Sequence, residues 1–296
     1  MKYVSKIDGH ITHMSYKEVA GAKYNVLIVH GMAEHRFRYE KFMDSLALHN
    51  INSYALDLRG HGESKVDNMF GYFGKSDGYK HQIADIHGIV EMIKSKSDLP
   101  LIIYGHSMGS LFSRAYTKHF PNRIDKLILS GSPYLPDNFK LAKKGVQLVA
   151  NITPKKPAQI IANFINKTLN KDITNPRTDL DWLSFDSQNV DNYISDPMCN
   201  FPFTYSGYLD LFNLLSEVYL QSWDQVDSDM PILFQIGAYD PCPNFENNGY
   251  NRALLLLKSI GYRNIHSIVY DKSRHELLND LEKDTVTHDI LDFILN

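Results

Sequence analysis

The chain is poor in cysteine, with only Cys199 and Cys242 in 296 residues. Two thiols so far apart exclude a disulfide framework and a zinc-ligand spacing. Nowhere does an apolar run reach the roughly 18 residues that a membrane-spanning helix needs. The opening "MKYVSKIDGHITHMSYKEVA" also lacks the apolar centre of a signal peptide. These two absences lead us to expect a soluble, cytoplasmic protein, with peripheral contact at a membrane left open. Positive charge is not in excess either: 31 Lys and Arg stand against 34 Asp and Glu, for a formal charge of −3. That balance gives no footprint for nucleic acid. The glycine-rich "DLRGHGESK" (57–65) matches neither a P-loop nor a dinucleotide fingerprint. We read it as structural, with Asp57 and Arg59 pinning neighbouring loops, and expect no cofactor and no metal. No internal repeat or low-complexity tract occurs.

What remains is ordinary for a globular chain large enough to bury a substantial core: 43% hydrophobic and 22% charged residues. The first residues alternate around Asp8-Gly9 and predict an antiparallel hairpin. Short apolar runs then alternate with longer helical patterns. The runs are "NVLIVHG" (25–31), "INSYALD" (51–57), "LPLIIYG" (99–105), "DKLILSG" (125–131), "PILFQIG" (231–237) and "NIHSIVYD" (264–271). They lack polar alternation, as strands covered on both faces do. Helical patterns fall near 36–49, 79–97, 108–119, 247–260 and 276–295, the fourth ending at Gly261. Such alternation predicts an α/β fold with a mostly parallel sheet flanked by helices.

The rhythm breaks between about Ser132 and Asp229, where no convincing buried strand appears. We expect a core of residues 1–132 and 229–296 and a helical cap inserted as 133–228. Loops at the C-terminal ends of parallel strands gather at one sheet edge, where ligands bind. An insertion after "DKLILSG" would sit as a lid over that edge.

"GHSMG" (105–109) fits G-x-S-x-G, a weak pattern alone, since roughly one chain in ten of this length would match by chance. Its context is specific: a buried strand precedes it and "MGSLFSRAYTKHF" follows as a helix. Gly105 and Gly109 let the chain turn sharply and hold Ser107 at a strained strand-to-helix corner. The helix N-terminus behind it favours the negative charge that acyl transfer develops. A serine hydroxyl needs a histidine base held by a carboxylate, and on such sheets the order is serine, acid, histidine. His275 in "DKSRHELLND" follows the last strand and is the candidate base. Asp240 in "QIGAYDPCPNF", three residues past Gly237, is the candidate acid. Asp271 is its rival but lies too early in the loop of His275. The Met108 N–H is the first expected oxyanion donor. The second is the Met32 N–H in "VHGMAEHRFRYE", where Gly31 lets the backbone approach the substrate. His30 is expected to buttress that loop and His35 to be solvated or to start a helix. Cys242 is expected to fill space.

Together "VHGMAEHRFRYE", "DLRGHGES", "GHSMGS", "GAYDPC" and "SRHELLND" resemble the monoacylglycerol lipase / lysophospholipase branch of the α/β-hydrolases, also called serine-aminopeptidase-like. The likeness spans nearly the whole chain in order. It implies an eight-stranded sheet with a helical cap, no cofactor, and hydrolysis of carboxylic esters of lipid-like alcohols. Position by position it implies Ser107, Asp240 and His275 as triad and Met32 and Met108 as oxyanion-hole residues. One departure is Met32, which stands where a small residue often follows the His-Gly step and would narrow the acyl entrance.

The insertion is rich in aromatic residues, from Phe139 to Trp223, suited to a cap core and to an acyl groove. In "DNFKLAKKGVQLVA", Lys140, Lys143, Lys144 and Gln147 share one side and Phe139, Ala142, Val146 and Val149 another. That reads as a packed cap helix or as one that touches lipid surfaces. An amidase or aminopeptidase with the same triad would need a cap carboxylate for the substrate ammonium, and Asp179, Asp181, Asp186, Asp191, Asp196, Asp210 and Glu217 leave that open. A non-catalytic binding protein is the third reading. The expected partner is a small lipid-like ester.

Overall fold

A computed structural model describes residues 1–135, 138–243 and 248–296. The parts of the sequence reading that fall on 136–137 and 244–247 lie outside the described residues. The sheet carries eight strands in the order β1-β2-β4-β3-β5-β6-β7-β8. These are β1 (Lys2–Val4), β2 (Ile11–Lys17), β3 (Tyr24–Val29), β4 (Ile51–Leu56), β5 (Leu101–His106), β6 (Lys126–Ser130), β7 (Ile232–Gly237) and β8 (Ile265–Tyr270). The first two pair antiparallel, β2 joins β4 antiparallel, and every later pairing is parallel.

Successive side chains of a strand point to opposite faces, and both faces here are covered. Leu27, Val29, Ile103, Leu127 and Leu129 pack on one side against helices α2 (Gly78–Lys94), α3 (Met108–His119) and α8 (Gly249–Ser259). Val26, Ile28, Ile102, Tyr104 and Ile128 pack on the other against α1 (Glu40–Leu48) and α9 (Lys283–Leu295). Double coverage is why the central strands read as unbroken apolar runs. The last strand departs from that expectation. It lies at the sheet edge, and most of its residues are exposed or half-buried. The final helix also starts later than its pattern predicts. A short 3-10 turn (Leu277–Asn279) comes first, and buried Asp280 accepts the N–H groups of Arg274, Phe185 and Leu281. Its carboxylate ties three segments together where a helix would otherwise begin.

Between β6 and β7 lie α4 (Phe139–Ile152), α5 (Gln159–Leu169), α6 (Ser187–Ser195) and α7 (Tyr205–Tyr219). The last of these packs on α3 and α2 through Tyr208, Leu214, Leu215 and Val218. Its Asp210, almost fully buried, accepts the Tyr79 N–H in the first turn of α2. On the lysine side of α4, Lys143 is half-buried and donates to Ser216 Oγ at 2.8 Å. Lys140 and Lys144 are exposed, and beside them Leu141, Leu148 and Ile152 are exposed as well, at helical spacing. On α5, Ile160 and Phe164 are exposed too. No helix among the described residues is long and apolar enough to cross a membrane.

Candidate active site

Ser107 ends β5 and opens α3 with φ +52° and ψ −120°, a conformation that costs a non-glycine residue about 1–3 kcal/mol. The turn is this tight because α3 crosses the strands at close range. A Cβ on Gly109 would lie 2.1 Å from the Val29 carbonyl oxygen, and one on Gly105 would lie 2.5 Å from Ser113 Oγ. The Ser107 N–H is held by the Ser130 carbonyl of the next strand at 2.8 Å. Met108 is the first helical residue, so its N–H has no acceptor within the helix.

The loop after β3 faces this corner. A Cβ on Gly31 would stand 3.1 Å from Ser107 Cβ, so the backbone there approaches the hydroxyl as only glycine allows. The Gly31 N–H donates to Glu34 Oε1 at 2.6 Å, and the Ala33 N–H donates to His61 Nε2 at 3.2 Å. Between them the Met32 N–H has no acceptor among the described residues. Two buried histidines shape the loop. Both are kept neutral by burial, which lowers their pKa values. His30 donates from Nδ1 to the Gly31 carbonyl and accepts the Leu58 N–H. His61 bonds the Arg59 carbonyl through Nδ1. His30 therefore buttresses the loop as expected. His35 does start a 3-10 turn, but it is not solvated: it is 3% exposed and contacts Asp196 Oδ2 at 2.8 Å. Asp57 and Arg59 pin loops as the sequence suggested. Asp57 binds Arg36, and Arg59 binds Asp8 and Asp85.

Asp240 follows β7 and His275 follows β8, two adjacent strands. Both are buried, and His275 Nδ1 lies 3.0 Å from each Asp240 carboxylate oxygen. Burial opposes charging of the imidazole, but the Asp240 carboxylate outweighs it and holds the His275 pKa well above the ordinary value. The far nitrogen, Nε2, is 3.8 Å from Cys242 Sγ. Burial pushes the Cys242 thiol up to about 11, so it stays protonated near neutrality. Ser107, Asp240, His275, Met32 and Met108 all border one cavity of about 1380 Å³. The structure thus joins His275 to Asp240 directly and sets Ser107 on the same wall, without a hydrogen bond between Ser107 and His275. The His106 ring lies beside that of His275, their centroids 4.8 Å apart. Burial lowers the His106 pKa to about 4, leaving it neutral.

Several features of this site were not read from the sequence, Trp182 having been counted only among the aromatic residues of the insertion. Trp182 lies against His275 with centroids 5.1 Å apart. Glu34, Arg38 and Glu276 form a buried ionic cluster beneath the loops. The Glu34–Arg38 spacing of four was the available signal, but such pairs are usually solvated. The cavity walls beyond the polar corner are apolar, with Leu111, Val146, Val149, Leu211, Phe212 and Leu215 among them.

The family model described as Hydrolase_4, serine aminopeptidase, S33, matches residues 20–282. The chain belongs to that family. Over 279 residues it is 25% identical to a monoacylglycerol lipase of Mycolicibacterium smegmatis, covering 92% of this chain and 88% of the relative. A monoglyceride lipase of Mus musculus is 28% identical over 202 residues, 67% of this chain and 60% of its own. Among solved structures, a thermostable carboxyl esterase from Bacillus coagulans in complex with glycerol superposes with TM-score 0.90 at 23% identity. It covers 100% of this chain and 97% of that one. A soluble variant of the Saccharomyces cerevisiae monoglyceride lipase with a substrate analog gives 0.76 at 19%, covering 99% and 93%. These likenesses make the fold that of an α/β-hydrolase, and the family is of the esterase/lipase type.

Proposed function

We propose that the protein is a serine carboxylic-ester hydrolase that works through an acyl-enzyme on Ser107. His275 Nε2 takes the hydroxyl proton as Oγ attacks the ester carbonyl, and Asp240 orients the ring through Nδ1–H and stabilises the imidazolium that forms. The Met32 and Met108 N–H groups receive the charge on the carbonyl oxygen, each donor of this kind being worth about 3–4 kcal/mol. His275 then protonates the departing alcohol, and water, activated by the same imidazole, releases the acid. The single observation that carries this reading is the buried Asp240–His275 pair bordering the same cavity as a serine at a strained corner.

The cavity supports one substrate class. Its volume and apolar walls suit a long acyl chain, so we assign monoacylglycerol-like or lysophospholipid-like esters, the former being what the curated relatives are named for. Residues 133–228 serve as the lid over it, with Met32 narrowing the acyl entrance. The apolar rim on α4 and α5 borders the cavity at Val149, Ile160 and Phe164 and is the surface for peripheral contact with lipid. The aminopeptidase alternative is less well supported, because most candidate cap carboxylates are engaged within the protein. Asp191 holds Arg177, Asp196 holds His35, Glu217 holds Lys118, and Asp181 holds Thr178.

A fluorophosphonate probe should label the wild-type protein and not Ser107→Ala. Each added methylene should favour binding by about 0.8 kcal/mol, or roughly fourfold, so kcat/KM should climb from acetyl to octanoyl esters. A flat or falling series, or faster turnover of aminoacyl amides than of monoacylglycerols and lysophospholipids, would refute the lipid-ester reading.

A further inference from the structure

Two carboxylates from opposite ends of the chain share one guanidinium. Arg38 Nη1 lies 2.6 Å from Glu34 Oε2 and 2.6 Å from Glu276 Oε1, and Nη2 lies 2.7 Å from Glu276 Oε2. All three side chains are nearly excluded from water, at 11%, 3% and 3% exposure for Arg38, Glu34 and Glu276. Each carboxylate has a second task. Glu34 holds the Gly31 N–H and accepts the Tyr39 hydroxyl at 2.9 Å. Glu276 is the neighbour of His275 in the chain and accepts the Asn189 amide of α6 at 2.6 Å.

We propose that Arg38 is a positioning residue whose guanidinium locks the loop carrying the Met32 N–H to the loop carrying His275, so that oxyanion donor and base keep one geometry. The inference rests on the roles given above to Ser107, His275 and Met32. Two carboxylates buried side by side repel unless a cation lies between them. Among the described residues neither has an ion-pair partner other than Arg38. Among the other groups that act on Glu34 and Arg38 there is no second permanent cation, and Asp196, which also faces Arg38, is acidic. His30 and His106, facing Glu34, are kept neutral by burial. Tyr193, whose ring lies 4.9 Å from the guanidinium, and Cys199 both have pKa values raised by burial. Without Arg38, Glu34 and Glu276 must take up protons or swing away, and Glu34 then releases the Gly31 peptide that abuts Ser107. Lysine restores the charge but not the two-pronged geometry.

The test compares wild type, Arg38→Met and Arg38→Lys by ester hydrolysis across pH. Misplacing reacting groups by about 1 Å costs roughly 10²-fold. Arg38→Met should lose about that much in kcat, with KM nearly unchanged. It should also gain a second acid limb, beyond the one set by His275, as its unpaired carboxylates protonate, and Arg38→Lys should fall between. Millimolar ethylguanidinium should restore part of the rate of Arg38→Ala, whose truncated side chain leaves room for it, while ethylammonium at the same concentration should restore less. Wild-type kcat and pH profile in Arg38→Met, a change in KM alone, or equal rescue by both cations would overturn the proposal. If Arg38→Met does not fold, Arg38→Lys and Glu276→Gln carry the test, and wild-type kcat in both would overturn it. Fluorophosphonate labelling of wild type is measured first. Its failure removes the serine-hydrolase reading and this proposal together, whereas labelling with unaffected Arg38 variants removes this proposal alone.

Discussion

Replacing Asp210 with asparagine should make the protein less sensitive to alkali. Burial pushes the Asp210 carboxyl up to about 7, with Asp77 adding to the effect and the N–H groups of Tyr79 and Gly78 opposing it. In the unfolded chain the same group titrates near its ordinary value of about 3.9. The folded state therefore holds a proton that the unfolded state has lost over that interval, and stability falls as pH rises. The contribution is complete below about pH 4 and is lost as pH rises through about 7. A separation of about 3 pH units at about 1.4 kcal/mol each sets a ceiling near 4 kcal/mol. The amide oxygen of asparagine still accepts the Tyr79 N–H, and any cost of seating its NH₂ group is the same at every pH. The readout is accordingly the slope of the difference and not its size at one pH. Melting temperatures of wild type and Asp210→Asn, measured from pH 4 to pH 9, should diverge steadily up to about pH 7 and run parallel above it. Curves parallel throughout would show that Asp210 ionises freely in the folded state, and the account of how α7 seats on α2 would fail.

Two further tests bear on the site and its surroundings. Because Asp240 raises the His275 pKa, the neutral base accumulates only as pH climbs, so the acid limb of kcat/KM should lie above pH 6.5; Asp240→Asn should lower the rate roughly 10⁴-fold and move the limb of the residual activity downward, and an unmoved limb would refute the assignment. Flotation with lipid vesicles should carry wild type upward, and Leu148→Lys combined with Phe164→Lys should abolish this without changing turnover of a short soluble ester; equal flotation of both proteins would refute a docking role for the apolar rim.

Much of this fold is legible because a sheet covered on both faces writes itself as unbroken apolar runs, and those predicted for β3 to β7 match within two residues. The edge strand β8 was legible as a strand but not as an edge, since its isoleucines and valine look the same whether or not a helix lies over them. Ser107 was legible from its neighbours: at Gly109 the chain admits no Cβ, and such a constraint marks the sequence. Trp182 and the Glu34–Arg38–Glu276 cluster were not. Their partners are 93, 4 and 238 residues away, and a charged residue in a loop looks solvated until something closes over it. His35 misled for the same reason, its burial being supplied by Asp196 from 161 residues on.

The chain leaves the top of β6 and must re-enter at the bottom of β7, so whatever lies between has to descend the full height of the sheet. Helix α7 makes that descent while leaning on α3. Its Leu211 and Phe212 line the cavity while Leu214 and Val218 are buried in the core. Reshaping the cavity without disturbing the core therefore means exchanging its lining on α4 and α5 and leaving α7 where it stands.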